Sequence, residues 1–206
     1  MIDELLKFFV VLFVVVEPPS LVPMFASMTA GASPVYARRM AVKASVIAAT
    51  ILIVFGLAGG RLIRLLGISI DAFRIGGGIM LFLIALEMVF AREHKTTAEE
   101  AAEAQRRADI SVFPLAFPLI SGPGALATVL LTFGSVPFSP ALWTGLIAVI
   151  VLVIVVTLAF MLAAPLFMRV VGVTGANVVA RLAGVILAAL AVQFTIDGLK
   201  GAFASG

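Results

Sequence analysis

The sequence of 206 residues contains no cysteine, one histidine, one tryptophan and one tyrosine, and only 12% of its residues are charged. The absence of cysteine excludes disulfides, thiolate chemistry and metal sites built on cysteine. The single histidine, His94, stands in a charged stretch, and neither H-E-x-x-H nor G-x-S-x-G occurs, so the sequence does not indicate an enzyme. The basic residues are scattered and no base-stacking motif accompanies them, which argues against a nucleic-acid partner.

Long apolar runs dominate what is present. Apolar residues make up 63% of the chain, and residues 110–168 contain no Asp, Glu, Lys, Arg or His. A soluble domain is nearer half apolar and a quarter charged, so the sequence predicts an all-α integral membrane protein. Because about 20 apolar residues cross a bilayer core, the chain divides into candidate spans near 5–30, 42–62, 72–91, 110–134, 142–167 and 178–199. The start, MIDELLKFF, lacks the basic region of a signal peptide and predicts a retained first span.

The chain also divides into two similar halves around one charged stretch. Residues 92–109, REHKTTAEEAAEAQRRAD, predict a hydrophilic linker. Motifs recur in the same order roughly 100 residues apart: Pro18-x4-Pro23 with Pro118-x4-Pro123, RLLGIS from Arg64 with RVVGVT from Arg169, and Arg74-x-x-Gly77 with Arg181-x-x-Gly184. We therefore predict three-helix repeats over 1–91 and 110–206. Since three spans per half is an odd number, the two repeats would be inverted relative to each other.

The distribution of basic residues predicts the orientation. Nine lie on the side of the charged linker and five on the opposite side: Arg38, Arg39, Lys43, Arg92, Lys95, Arg106, Arg107, Arg169 and Arg181 against Lys7, Arg61, Arg64, Arg74 and Lys200. Positive charge accumulates on the cytoplasmic side of a membrane. The linker is thus predicted to be cytoplasmic and both termini extracytoplasmic.

Prolines interrupt the first span of each half near its middle, in Glu17-Pro18-Pro19-Ser20 and in the stretch from Pro118 to Gly124. Proline costs on the order of 3 kcal/mol inside a helix, but it is tolerated at a helix start, where a serine can act as the cap. Two half-helices are therefore predicted to begin near Ser20 and Ser121, with N-termini that meet in the membrane. Such N-termini carry partial positive charge and suit an anion such as an amino-acid carboxylate.

The candidate substrate-binding residues surround these breaks. Glycines would let a ligand approach the backbone, carbonyls freed by prolines would accept from an ammonium group, and Glu17 would pair with that group or carry a coupling proton. The predicted set is Glu17, Pro18, Pro19, Ser20, Pro118, Ser121, Gly122, Pro123, Gly124 and Thr128, with no metal ligand and no cofactor. The structural alternative is that the prolines kink the two helices for packing alone.

Both proline motifs resemble those of the MarC-related family, which comprises six-span inner-membrane proteins of bacteria and archaea. That family has an acidic residue before proline in span one and P-x-x-x-P-L-I-x-G-P-G in span four, which stand here as Glu17-Pro18 and as Pro114 to Gly124. The family usually has Asp where this chain has Glu17, which keeps the charge and reaches one methylene further. The resemblance implies an inner-membrane transporter of small neutral amino acids, with glycine and alanine among its substrates.

The leading hypothesis is therefore a secondary transporter of small neutral amino acids, with protons as the coupling ion through Glu17 and rocking halves that alternate access. The direction of transport, import or export, stays open. Two alternatives stay open as well: a passive channel for small polar solutes, and a non-transporting membrane scaffold. The lipid bilayer is the one partner that the composition requires, and a homo-oligomer is neither predicted nor excluded.

Overall fold

The computed structural model describes residues 2–90 and 109–204, which form helices and short connections without any strand in either range. The charged linker predicted over 92–109 lies outside the described residues, apart from Asp109. In chain order the helices are α1 (Ile2–Val16), α2 (Pro18–Met28), α3 (Pro34–Leu65), α4 (Ile70–Phe90), α5 (Ser111–Ile120), α6 (Pro123–Ser135), α7 (Pro140–Leu162), α8 (Ala164–Val170) and α9 (Gly172–Ala204).

Five helical segments of the described ranges are long and apolar enough to cross a membrane: Ile2–Met28, Pro34–Ile63, Ile70–Phe90, Pro140–Leu162 and Asn177–Phe203. Helices α5 and α6 meet at an angle of 58° and provide a sixth crossing if the bent pair counts as one span. The prediction of an all-helical, multi-span membrane protein is thereby confirmed. Helix α7 ends before the predicted boundary because Pro165 occupies the first turn of a new helix, α8.

The first and fourth candidate spans, α1–α2 and α5–α6, lie side by side. The start of α1 contacts the end of α6, where Phe8 and Phe133 meet edge to face with ring centroids 6.4 Å apart. The end of α1 covers the start of α6, because Val15 lies against Gly124. The two helices are therefore antiparallel. We call the end of the bundle where α1 begins and α6 ends the terminal end, and the opposite end, where α4 ends and α5 begins, the linker end.

Helices α4 and α9 pack closely and antiparallel along what we call the α4–α9 seam. A Cβ atom on Gly78 would meet the carbonyl oxygen of Ala191 at 2.8 Å and the amide nitrogen of Thr195 at 3.0 Å. Further along, a Cβ atom on Gly184 would meet Cβ of Met88 at 2.8 Å. Since lipid supplies no hydrophobic force between helices, small residues that bring backbones together stabilise such a pair.

Helix contacts largely repeat when the two halves are exchanged, with α1, α2, α3 and α4 replaced by α5, α6, α7 and α9. Helix α3 contacts α5 and α6, and its counterpart α7 contacts α1 and α2. Helix α4 contacts α6 as α9 contacts α2, while α3–α7 and α4–α9 pair counterparts with each other. The contacts of α1 with α6 and α9 have no counterpart of similar extent. The packing is thus approximately, but not fully, the same in both halves.

One polar contact joins the halves at the terminal end. The guanidinium of Arg74, in the first turns of α4, donates from Nη1 to Oδ1 of Asp71 at 3.0 Å and from Nη2 to Oγ of Ser135 at 2.7 Å. Ser135 is the last residue of α6, so this arginine connects α4, in the first half, to α6, in the second half. Its repeat counterpart Arg181 is exposed on α9.

A second polar contact joins the halves at the linker end. Lys43 of α3 donates to the carboxylate of Asp109, which precedes α5 and also accepts from the amide (2.9 Å) and hydroxyl (2.5 Å) of Ser111. The Lys43 ammonium and the Ser111 hydroxyl hold the pKa of Asp109 well below its usual range. Because Lys43 and Asp109 are each close to half exposed, water and salt screen their attraction.

Candidate functional site

The first break in the bundle is a single residue, Glu17, between α1 and α2. Its amide still donates to the carbonyl of Phe13 at 3.0 Å, which ends α1, and its own carbonyl accepts from Ser20 at 3.0 Å, which begins α2. In between, the backbone of Glu17 turns through the left-handed region (φ 50°, ψ 59°). This conformation costs a non-glycine residue on the order of 1 kcal/mol. Pro18 and Pro19 follow at the start of α2, where their missing N–H groups have no intrahelical partner to lose.

The side chain of Glu17 carries an unused acceptor into the protein interior. Its Oε1 atom is buried and has no hydrogen-bond partner among the residues that the structure describes. The Ser20 hydroxyl interacts with the same carboxyl group. An ionised carboxylate offers about four acceptor positions, and a buried one is costly unless it is paired. Glu17 therefore has one buried acceptor that the described part of the chain leaves unpaired.

The second break lies between α5 and α6. Segment α5 is not a regular helix, because the backbone of Phe113 (φ −127°, ψ 128°) and of Phe117 (φ −136°, ψ 130°) is extended. The amide of Leu115 donates to the carbonyl of Ile110 at 3.3 Å, and that of Ser121 to Ala116 at 2.9 Å, each across five residues. Pro114 and Pro118 within α5 have no amide hydrogen, and both follow cis peptide bonds. The sequence predicted a break in this span, but not the extended backbone of Phe113 and Phe117 before it.

Neither serine caps a half-helix as predicted. The hydroxyl of Ser121 donates to the carbonyl of Ala116 at 2.6 Å and so ends α5. The cap position before α6 is instead occupied by Gly122, which has no side chain for capping. Ser20 lies within the first turn of α2, and Glu17 occupies the cap position without a side-chain bond to the helix. In α2 the first two residues are prolines and the amides of Ser20 and Leu21 donate to the carbonyl of Glu17, so this N-terminus has no free amide. In α6, which has no side-chain cap, the amides that follow Pro123 keep their partial positive charge for another acceptor.

Thr128, in the second turn of α6, differs from the other buried or membrane-span threonines. Six threonine hydroxyls of the described ranges donate to the carbonyl four residues earlier, as Thr132 does to Thr128 at 2.9 Å. Thr128 itself is fully buried, and its Oγ1 has no partner within residues 2–90 and 109–204. Side chains on a helix lean toward its N-terminus, so this hydroxyl lies over the turn that contains Gly124.

The two breaks are neighbours. A Cβ atom on Gly124 would meet Cγ1 of Val15 at 3.0 Å, and Val15 is two residues before Glu17. The same point lies 3.0 Å from Cδ1 of Ile84 and 3.3 Å from Cδ2 of Leu81, both on α4. Val15, Leu81, Ile84 and the first turn of α6 therefore meet in one region between α1, α4 and α6, with Glu17 two residues after Val15 and Thr128 four residues after Gly124. We call this region the break site.

The structure places the remaining predicted residues at the edge of this region or gives them another contact. The Cβ direction of Gly122 points at the carbonyl oxygen of Pro118, so this glycine is required by the turn itself. Pro123 is exposed at the first turn of α6, while Pro18 is buried and Pro19 is partly exposed. The proposed close approach of a ligand to the two glycines stays a prediction, since side chains of this chain already occupy the Cβ direction of Gly124.

Sequence reasoning missed the apolar side of the break site. Leu81 and Ile84 carry no motif, and only their contact with Gly124 reveals them. Ser45 was also missed: it is buried on α3, and its hydroxyl has no partner within the described part of the chain. No three metal-ligating side chains come together in that same part. The break site thus offers a carboxyl group, a hydroxyl group and a helix N-terminus, all bordered by aliphatic side chains.

Comparison with known proteins identifies the family. The pattern described as "MarC family integral membrane protein" matches residues 2–203. A UPF0056 membrane protein of Aquifex aeolicus is 39% identical over 94% of this chain and 91% of its own length. The UPF0056 membrane proteins YhcE of Escherichia coli, 36% identical over 96% and 92% of the two chains, and YvbG of Bacillus subtilis, 36% identical over 98% and 97%, are similar throughout. No solved structure matches significantly. The chain belongs to the MarC family of integral membrane proteins.

Proposed function

We propose that the protein is a secondary transporter of small neutral amino acids, with its substrate site at the break site and proton coupling through Glu17. One observation carries the proposal: Oε1 of Glu17, at the first break, and Oγ1 of Thr128, in the second turn of the helix that follows the second break, are both buried and unpaired within the described residues. Buried polar atoms nearly always have partners. Two of them at adjacent breaks in apolar spans favour a site for a polar ligand over kinks that serve packing alone.

A small zwitterion matches the chemistry of these groups. Its ammonium group would bind the Glu17 carboxylate and the carbonyls freed by Pro18 and Pro19. Its carboxylate would accept from the first amides of α6, which the helix dipole favours, and from the hydroxyl of Thr128. The aliphatic border formed by Val15 and its neighbours suits a side chain that is small and uncharged. Protonation of Glu17 would release the ammonium group and couple substrate movement to protons.

The packing of the two halves supports alternating access. Exchange of the halves preserves most helix contacts. The last helix of each half, α4 and α9, runs antiparallel to the other, as inverted repeats require. The proposed orientation puts the linker end in the cytoplasm and both termini outside the inner (plasma) membrane, as the basic residues favour. The proposed partners are the amino acid, protons and lipid.

The test is uptake of radiolabelled glycine and alanine into proteoliposomes, with and without an imposed pH gradient. Wild type is compared with Glu17→Gln and with Glu4→Gln, a matched control on an exposed acid in the first turn of the same helix. We expect gradient-driven accumulation by wild type and by the control, and loss of the gradient's effect in Glu17→Gln, because the amide cannot carry the proton.

Three results would contradict parts of the proposal. Unchanged, pH-dependent uptake by Glu17→Gln would exclude its role in coupling. Uptake by wild type that only equilibrates across the membrane would indicate a passive channel. No uptake of either amino acid by a folded wild-type protein would refute amino-acid transport and leave a scaffold role.

A further inference from the structure

We propose that Ile84, together with Leu81, forms a size filter that restricts the substrate of the break site to side chains no larger than one or two carbons. The inference rests on the proposed transport of amino acids and assigns its selectivity to particular residues. It follows from the space around Gly124, where α6 begins. The side chains of Ile84 and Leu81 have no polar atoms, so they would act on the substrate through its size alone.

The filter is defined by three aliphatic contacts at one point. Cδ1 of Ile84 and Cγ1 of Val15 lie 3.0 Å, and Cδ2 of Leu81 lies 3.3 Å, from the position that a Cβ atom on Gly124 would take. Leu81 is fully buried and Ile84 partly exposed. Aliphatic side chains therefore close the side of the first turn of α6 toward which the Cβ direction of Gly124 points.

Two polar groups fix a zwitterion against this wall. The carboxylate would be held at the α6 N-terminus and by Thr128, and the ammonium group by Glu17. With both ends of the backbone held, the side chain of the substrate has to fit in the remaining space, which Ile84 and Leu81 limit. A hydrophobic site distinguishes ligands that differ by one methylene by about 10-fold to 200-fold, so loss of several carbons from the wall has a measurable effect.

The experiment measures inhibition of glycine uptake by unlabelled alanine, valine and leucine in proteoliposomes. Ile84→Ala removes three carbons from the wall, and Ile84→Val removes only the δ carbon, with less risk to folding. Ile75→Ala is the matched control: Ile75 is an equally half-buried isoleucine on the same helix, but its Cγ1 contacts Gly198 of α9 instead of α6. Gly124→Ala makes the opposite change, because it adds a methyl group to the same space.

We expect valine and leucine to inhibit Ile84→Ala at concentrations roughly tenfold or more below those needed for wild type or Ile75→Ala. Ile84→Val is expected to shift valine alone, and Gly124→Ala to disfavour alanine relative to glycine. Glycine uptake by Ile84→Ala and Ile84→Val with wild-type selectivity would overturn the filter while leaving transport intact. Absence of glycine uptake by wild type would overturn both the filter and the proposed function.

Discussion

Substitution of Gly78 by alanine tests the packing of the α4–α9 seam. Alanine favours a helix over glycine by about 1 kcal/mol, so the change would stabilise an isolated α4. In the seam, however, the new methyl group meets the hydroxyl oxygen of Thr195, the carbonyl oxygen of Ala191 at 2.8 Å and the amide nitrogen of Thr195 at 3.0 Å. Two of these atoms belong to the backbone and cannot rotate away. Overpacking of this kind costs about 1–3 kcal/mol or more, so we expect a net loss of stability.

Gly76 provides the matched control two residues earlier on the same helix. A Cβ atom there would meet nothing within 4 Å, so Gly76→Ala should raise stability by up to about 1 kcal/mol. Both variants gain the same helix propensity, so they should differ in the free energy of unfolding by the overpacking cost alone, about 1–3 kcal/mol. The measurement is reversible unfolding by SDS in mixed micelles, monitored by circular dichroism. If Gly78→Ala proves as stable as Gly76→Ala, α4 and α9 do not approach each other as described.

The remaining predictions concern three other contacts. Ser121→Ala should lower the melting temperature in detergent, because it removes a buried hydrogen bond worth about 1 kcal/mol. Ser139→Ala is the control and should leave the melting temperature unchanged, since Ser139 stands at a helix start without a side-chain cap bond. Equal melting temperatures of the two variants would contradict the role of Ser121 in ending α5. Since the pKa of Asp109 is lowered in the folded protein, its ion pair stabilises above the ordinary aspartate pKa near 4 and loses this effect as the pH falls below it. Asp109→Asn should therefore reduce stability slightly at pH 7 and low salt and by less at pH 2, because the effect is lost progressively as the pH falls from about 4 toward the lowered pKa. An equal loss at both pH values would count against the pairing. Because the chain lacks cysteine, single-cysteine variants can report orientation: a membrane-impermeant maleimide should label Phe138→Cys in intact cells and Ala32→Cys only after permeabilisation, and the reverse pattern would invert the proposed topology.

The sequence predicts the spans and the positions of both breaks well, because hydropathy and proline act locally. Proline has no amide hydrogen wherever it stands, so Pro18 and Pro118 mark irregular backbone without knowledge of neighbouring helices. The predicted serine caps are wrong, because a hydroxyl can bond to a carbonyl behind it as well as to an amide ahead of it. The hydroxyl of Ser121 donates to the carbonyl of Ala116, and this contact depends on the backbone path through all of α5.

The aliphatic side of the break site could not be predicted from sequence. Ile84 and Leu81 look like any lipid-facing or buried residue of a span, and only the packing of α4 on α6 places them beside Gly124. Thr128 could not be singled out from sequence either. Its hydroxyl does not donate to the carbonyl four residues earlier, and the absence of this bond depends on the local geometry of the helix start. The inverted relation of the repeats and the orientation in the membrane stay predictions.

The α4–α9 seam also limits which motions the molecule can make. At Gly78 and Gly184 the neighbouring helix lies so close that side chains cannot be rearranged between the two backbones. Sliding or separating α4 and α9 would break these close contacts, whereas a small rotation about them would keep most of them. If the break site opens to one end of the bundle and then to the other, we therefore expect the two halves to turn about this seam.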